Sequence, residues 1–253
     1  MLITRVIPCL LLQNKGLVKT VKFEEPTYLG DPINVIKIFN DKEVDELIFL
    51  DITATVENTP PPFKFISKIT SECFMPLSYG GGIRSLEDIK QILSLGVEKV
   101  SINSYAVENP SFIKSAADLF GSSTIIVSID VKKKLFGKYE IFTHSGTKAT
   151  GLNPVEFAVE MGKMGAGELL INSIDKDGMM QGYDIELVKS VTERVTIPVI
   201  ACGGAGKIDD LAEVVKKGGA SAAAAGSLFV FHGKHRAVLI NYPTPEELQI
   251  VFD

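Results

Sequence analysis

Five polar side chains, Asp51, Asn103, Asp130, Asp175 and Asp177, each follow an apolar run directly. A carboxylate at the carboxyl end of a buried strand is a candidate general acid or base. Desolvation would raise its pKa, and a neighbouring lysine such as Lys19 would lower it. The competing reading is that such an aspartate caps the turn that follows, and the stretch DITAT offers Asp51 local donors, so Asp51 reads as structural. Glycines form the second group. YGGGIRS (79–85) and CGGAGKI (202–208) each link an apolar run to a helical pattern, and KDGMMQGYD (176–184) follows a third. Glycine lets backbone N–H groups approach a ligand closely, and a helix start beyond it adds positive potential, which suits a phosphate dianion. One glycine cluster says little, because tight turns need glycine anyway. Two at matched positions, beside INS (102–104) and AGS (225–227), point to two phosphate sites across one mouth. If opposite rims of an eight-stranded barrel lie on the order of 20 Å apart, the ligand is long and phosphorylated at both ends.

What must position these groups is a repeated strand–helix unit. Eight short runs rich in Val, Ile and Leu recur: RVIPCLL, ELIFLDI, MPLSY, EKVSIN, TIIVSID, ELLINSI, IPVIAC and SAAAAG. Apolar on both faces and too short for helices, they read as parallel strands covered on both sides. Helical periodicity fills segments 31–45, 85–96, 109–121, 153–165, 184–195 and 207–219; in the second of these Ser85 and Asp88 have capping-box spacing and Gly96 stops the helix. Eight such units in 253 residues predict an α/β fold, a single (β/α)8 TIM barrel domain over residues 1–253. An open doubly wound sheet is the alternative, with fewer strands. Gly81-Gly82 and Gly203-Gly204, like Glu46 and Glu168, recur at an offset of 122, so the barrel is expected to be a two-fold repeat of half-barrels. Each half opens with a strand followed by a small hairpin, around Gly16 and around Gly137. Active sites of such barrels lie at the carboxyl ends of the strands, which here means two related half-sites facing each other.

Superposing the halves exposes one mismatch: where strand five ends on Asp130, strand one has Leu11. Cys9 and Gln13 are near, but neither has a suitable pKa, and alternation points Cys9 the same way one layer deeper. At the opposite end, Arg5, Glu46, Lys99 and Glu168 stand just before strands one, two, four and six. Single charges flanking strands are ordinarily solvated. If these alternate inward instead, two cations and two anions close a ring over the barrel floor, a costly arrangement to desolvate whose natural use is as a gate.

The bulk numbers exclude several classes. With 45% hydrophobic and 23% charged residues and a net charge of −5, nothing favours nucleic acid or an anionic membrane. Cys9, Cys73 and Cys202 lack disulfide or metal spacing and read as reduced core thiols, and no metal or cofactor is called for. The opening MLITRVIPCLLL lacks a cleavage pattern and no run approaches a membrane span, so the expected location is cytoplasmic.

These residues resemble the cyclase subunit of imidazole glycerol phosphate synthase, a (β/α)8 barrel of histidine biosynthesis. The likeness rests on GDPINVIKIFNDKEVDELIFLDITATVE, GGGIRSLEDI, GVEKVSINSYAVENPSFI, GAGELLINSIDKDGMMQGYD and IPVIACGGAGKIDDL and runs to about residue 232. It implies a glutaminase partner docked on the amino face, ammonia crossing the barrel, and ring closure on a doubly phosphorylated ribulosyl nucleotide. It assigns Arg5, Glu46, Lys99 and Glu168 to the ammonia gate. Gly82, Asn103 and Ser104 fall to one phosphate site and Asp177, Gly178, Gly204, Gly226 and Ser227 to the other. Lys19 matches the lysine of the first loop, and Asp51 lies with the substrate-binding set. Asp130 matches one of two catalytic aspartates; the other is Leu11. Losing one of two cooperating acid–base groups costs about 10²–10⁴ in rate. The likeness therefore also fits divergent relatives found with surface-polysaccharide genes, which pass ammonia to a third enzyme, an amidotransferase that converts an acetamido sugar to an amidine. A scaffold that only activates the glutaminase is a further alternative. The tail lacks the family's long polar final helix, and KHRAVLINYP reads as extended and partner-covered.

Overall fold

Runs of β-branched and aliphatic residues four to nine long, bounded by Gly, Pro and polar turns, cannot bury both faces except as central strands. A computed structural model describes residues 4–134 and 137–253. In chain order its strands are β1 (Arg5–Gln13), β2 (Gly16–Val21), β3 (Glu24–Gly30), β4 (Leu47–Asp51), β5 (Leu77–Gly80), β6 (Lys99–Ile102) and β7 (Ile125–Lys133). There follow β8 (Tyr139–Thr143), β9 (Lys148–Ala149), β10 (Glu168–Ser173), β11 (Val199–Cys202), β12 (Ala222–Ala225), β13 (Phe231–His232) and β14 (Ala237–Val238). Eight of them, β1, β4, β5, β6, β7, β10, β11 and β12, pair in parallel in that order, and β12 returns to β1, so the sheet closes as a (β/α)8 barrel. The open-sheet alternative is thereby removed.

Register carries the two-fold repeat into three dimensions. Leu11 pairs with Leu50 as Asp130 pairs with Asn172, and Pro8 pairs with Ala225 as Val127 pairs with Ile102. Leu11 and Asp130 therefore occupy equivalent places. After β1 and after β7 the chain doubles back as an antiparallel ladder, Leu11 opposite Val18 and Asp130 opposite Phe142. Residues 135–136, part of the second expected hairpin tip, lie outside the described residues, as do residues 1–3 of the opening stretch.

The outer layer is helical: α1 (Pro32–Asp41), α2 (Phe63–Thr70), α3 (Leu86–Ser94), α4 (Ser104–Glu108), α5 (Ser111–Phe120), α6 (Pro154–Lys163), α7 (Ile185–Thr192), α8 (Ile208–Lys216), α9 (Ser227–Val230) and α10 (Pro245–Phe252). The caps explain where several begin. Asp31, Asn153 and Asp184 accept from backbone N–H groups in the first turn, and Ser85 and Asp88 form the reciprocal box their spacing predicts. Periodicity missed α2, where only Ile66 and Ile69 are buried and three prolines precede, and the one-turn α4 and α9. Two cores result. The larger lies between sheet and helices; the smaller lines the lumen with Ile7, Cys9, Ile48, Ile126, Leu170, Ile200, Cys202, Ala222 and Ala224.

The expected extended tail stretch is extended only in part: residues 233–236 turn between β13 and β14, and Val238 and Leu239 stay about half exposed at 49% and 52%. Leu239 and Asn241 donate to the carbonyls of Val230 and Phe229, and the chain covers the stretch itself only at its end, where the buried Tyr242 donates its hydroxyl to the Val6 carbonyl at 2.8 Å. A short final helix then forms, α10, started by a Thr244–Glu247 capping box that the reading of the tail overlooked. Among the described residues, no helix is long and apolar enough to cross a membrane. Of the cysteines, Cys9 and Cys202 are core thiols, while Cys73 is only half-buried.

Candidate active site

Strand alternation sends every second side chain of the barrel inward. At the carboxyl end these side chains, with the following loops, line a cavity open to solvent. Of the residues singled out from sequence, Lys19, Asp51, Gly82, Asn103, Ser104, Asp130, Asp177, Gly178, Gly204, Gly226 and Ser227 all line it, as does Leu11. Asp175 does not: its carboxylate caps the Lys133 amide at 2.7 Å, away from the cavity.

Asp130 stands at the inner rim. Asn103 Nδ2 donates to its Oδ2 at 3.0 Å and to the Ser128 carbonyl at 3.1 Å. Burial pushes its carboxyl up to about 7; the charge of Asp177 adds to the rise, while hydrogen bonds from Asn172 and Asn103 oppose it. That places a proton donor and acceptor near neutral pH, where general acid–base exchange is most effective. Lys19, expected as a neighbour that lowers such a pKa, is spoken for elsewhere: its Nζ lies 2.6 Å from Asp177 Oδ1, and Thr20 Oγ1 donates to the other oxygen at 2.9 Å.

Raised carboxyl pKa values carry a stability signature. Between the unfolded value, near 4, and the folded value of about 7, the native state binds more protons than the unfolded chain, so stability falls as pH rises through that window. Asp130→Asn removes the penalty. The variant is expected to match the parent near pH 4.5 and to exceed it by on the order of 2 kcal/mol at pH 8 in urea unfolding. A difference that does not change with pH would contradict the burial of this carboxyl.

The two residue groups expected to hold phosphate are related but not equal. In the first, Gly81 and Gly82 have positive φ, Ser104 Oγ donates to Asn103 Oδ1 at 3.2 Å, and Ser104 Oγ accepts from the His144 amide at 3.1 Å. In the second, Gly204 (φ +121°) packs so closely that a Cβ there would meet the Gly182 carbonyl at 2.2 Å, and one on Gly178 would meet that of Thr20 at 2.4 Å. Ser227, the mate of Ser104, lines the cavity and is buried, with no partner for its Oγ among the described residues. A buried hydroxyl without a partner costs about 1–3 kcal/mol. Ser227→Ala should therefore leave stability unchanged or slightly higher by thermal melt while weakening inorganic phosphate or bisphosphate binding about 10-fold by calorimetry. Unchanged affinity would remove Ser227 from the site.

Asp51 lines the cavity yet serves itself, as its sequence context suggests. Its Oδ1 accepts from the Thr53 amide, the Thr53 hydroxyl and the Ala54 amide at 2.8–3.1 Å.

At the amino end the four charges meet rather than splay into solvent. Arg5 lies 2.6 Å from Glu46 and 2.8 Å from Glu168; Lys99 lies 3.1 Å and 3.3 Å from the same two carboxylates. Ser78 Oγ donates to Glu46 at 2.8 Å, leaving that side chain 3% exposed. The ring is net neutral and closes the floor. Above it the lumen is lopsided: Ser101 and Ser128 share a hydrogen bond of 2.5 Å on one wall, while Cys9, Cys202 and Ala224 face the lumen from the other strands.

Sequence reasoning missed Asn172, whose side chain completes the surroundings of Asp130. The signal was present: Glu168, Leu170 and Asn172 alternate inward along β10, and INS occurs a second time at 171–173.

Comparison with known proteins gives a consistent result. A family model described as histidine biosynthesis protein matches residues 5–236. A Pseudomonas aeruginosa protein provisionally named imidazole glycerol phosphate synthase subunit hisF2 is 54% identical over 97% of this chain and 98% of its own. One of Vibrio vulnificus, provisionally named subunit hisF3, is 51% identical over 98% of this chain and 95% of its own. A Leptospira interrogans protein, provisionally named subunit HisF, is 49% identical over the full length of both.

Proposed function

Since the chain belongs to the histidine biosynthesis protein family, as a relative of imidazole glycerol phosphate synthase cyclase subunits, we propose that it is the barrel subunit of a glutamine-dependent amidotransfer complex. In this reading a glutaminase subunit docks on the amino face and releases ammonia beneath the ring of Arg5, Glu46, Lys99 and Glu168. Neutral ammonia passes the ring, crosses the lumen and emerges beside Asp130, where a phosphorylated small molecule is held by the two cradles. The observation that carries the proposal is the pairing of a closed, net-neutral ring at one end of the lumen with a doubly cradled mouth at the other. A ring of four partly desolvated charges, of which only Glu46 is almost wholly enclosed, adds little stability for its desolvation cost. Lys99 makes its longest contacts, and a lysine is a flexible point charge, so Lys99 is the member that swings aside.

One observation favours a particular fate for the nitrogen. Leu11 sits where the two-fold repeat would place a second carboxylate, so the mouth has one proton-transfer group where ring closure on a ribulosyl nucleotide uses two. Delivery of ammonia to an amidotransferase that makes an amidine on an acetamido sugar of a surface polysaccharide needs no second acid or base here. Reconstitution with the glutaminase tests both: glutamine nitrogen should reach an acceptor, with the sugar preferred over the ribulosyl nucleotide. Stimulated glutamine hydrolysis with no transfer to either acceptor would reduce the barrel to an activating scaffold and overturn the proposal.

A further inference from the structure

Asn172 is buried and lines the mouth cavity, yet among the described residues its Oδ1 has no hydrogen-bond partner. Native proteins pair nearly every such atom, because an orphan carbonyl costs about 1–3 kcal/mol. The space in front of it is kept by the chain: Gly203 has φ +87°, and a Cβ there would lie 2.7 Å from this oxygen. The side chain also lies against the carboxyl of Asp130 and favours its charged form. Oδ1 offers an acceptor with no donor to it among the described residues.

We propose that Asn172 receives the nitrogen as it leaves the lumen, its side-chain oxygen accepting one N–H of the incoming ammonia while Asp130 accepts another. The inference rests on the ammonia route proposed above. Its geometry follows from one strand. Glu168, in the ring, and Asn172 lie on the same inward face of β10, about 13 Å apart along the strand, so the residue that closes the floor and the one at the exit share a wall. The lumen hydroxyls of Ser128 and Ser101 lie one and two strands further on, on β7 and β6, below Asp130 and Asn103. Across the two-fold axis the mate of Asn172 is Leu50 and that of Asp130 is Leu11, neither able to hold an N–H. The asymmetry is therefore double, and both losses fall on the same half of the mouth. Ammonia has three N–H donors and one lone pair. Two acceptors on one wall leave the lone pair free to face away from that wall, toward a ligand in the mouth, the orientation a nucleophile needs.

The test needs neither glutaminase nor acceptor. The carboxyl of Asp130 is titrated by carbon-13 NMR in the full chain, in ammonium chloride and in sodium chloride of equal ionic strength. Asp177, itself paired with Lys19, is the other charge that bears on Asp130 and is common to both salts. In the parent, ammonium should lower the apparent pKa of Asp130 by at least about half a unit relative to sodium, because a bound cation favours the carboxylate. The shift should vanish in Asn172→Leu and survive in Asn172→Thr, which keeps an oxygen acceptor. Overlapping amide spectra would establish that both variants fold. No ammonium-specific shift in the parent, or an equal shift in Asn172→Leu, overturns the assignment. Weakened bisphosphate binding by Asn172→Leu with the ammonium shift intact would instead place the ligand at Oδ1 and likewise overturn it. An ammonium shift in a barrel that transfers no nitrogen would retire the proposed function alone; transfer without the shift would retire this site alone.

Discussion

Leu11→Asp is expected to raise turnover of the ribulosyl nucleotide, with ammonium salt as nitrogen source, by about 100-fold or more. Leu11 and Asp130 hold equivalent registers on β1 and β7, each pairing with the inward residue of the next strand. A carboxylate at 11 therefore faces Asp130 across the mouth, and a positioned acid–base group contributes about 10²–10⁴ in rate. Leu11 is 9% exposed beside Cys9 and Leu50, so the new carboxyl is partly desolvated and its pKa rises. The substitution should therefore also destabilise the fold, by roughly 1–3 kcal/mol. Adding Asp130→Asn should erase most of the gain, because groups that act as a unit are not additive. Product formation by the single variant no higher than by the parent would mean that the mouth lacks more of the ring-closing apparatus than one carboxylate.

Glu46→Gln is expected to uncouple the two nitrogen sources. Glu46 is held by Arg5, Lys99 and Ser78 at 2.6–3.1 Å and is almost wholly buried. Neutralising it leaves two cations facing Glu168 alone and converts a neutral floor into a cationic one. Breaking a buried ion pair from one side costs about 3–5 kcal/mol, and here half the ring's negative charge goes with it. Glutamine-driven transfer should fall at least about 10-fold relative to transfer driven by ammonium salt, which enters from the mouth and needs no floor. Glutamine hydrolysis by the partner should continue. Equal losses from both sources would assign the ring a structural role only.

Much of this was legible in the sequence because parallel barrels leave strong local traces. Strands buried on both faces give unbroken aliphatic runs, and the half-barrel repeat shows as glycine pairs and glutamates at one offset. The glycines that line the mouth were legible because close backbone approach demands glycine at fixed places, as Gly178 and Gly204 show. What escaped depends on contacts between distant segments. Whether Arg5 and Lys99 face solvent or each other's partners is decided by barrel closure, which brings together residues up to 163 positions apart. That Lys19 takes Asp177 rather than Asp130 is decided by how the first hairpin folds over the mouth, 158 positions away. The helix α2 was lost because two buried isoleucines in eight residues give a weak period. Asn172 was lost because a lone polar residue in an aliphatic run carries no sign of what lies opposite it.

The central claim is that nitrogen reaches the mouth through the lumen. In the reconstituted complex, glutamine labelled with nitrogen-15 in its amide is supplied with a 50-fold excess of unlabelled ammonium at pH 7, and the aminated product is read by mass spectrometry. Passage through the barrel predicts product carrying mostly the glutamine label, and loss of that label when Ala224→Phe fills the lumen. Product labelled in the proportion of the bulk mixture, with or without the plug, would contradict it.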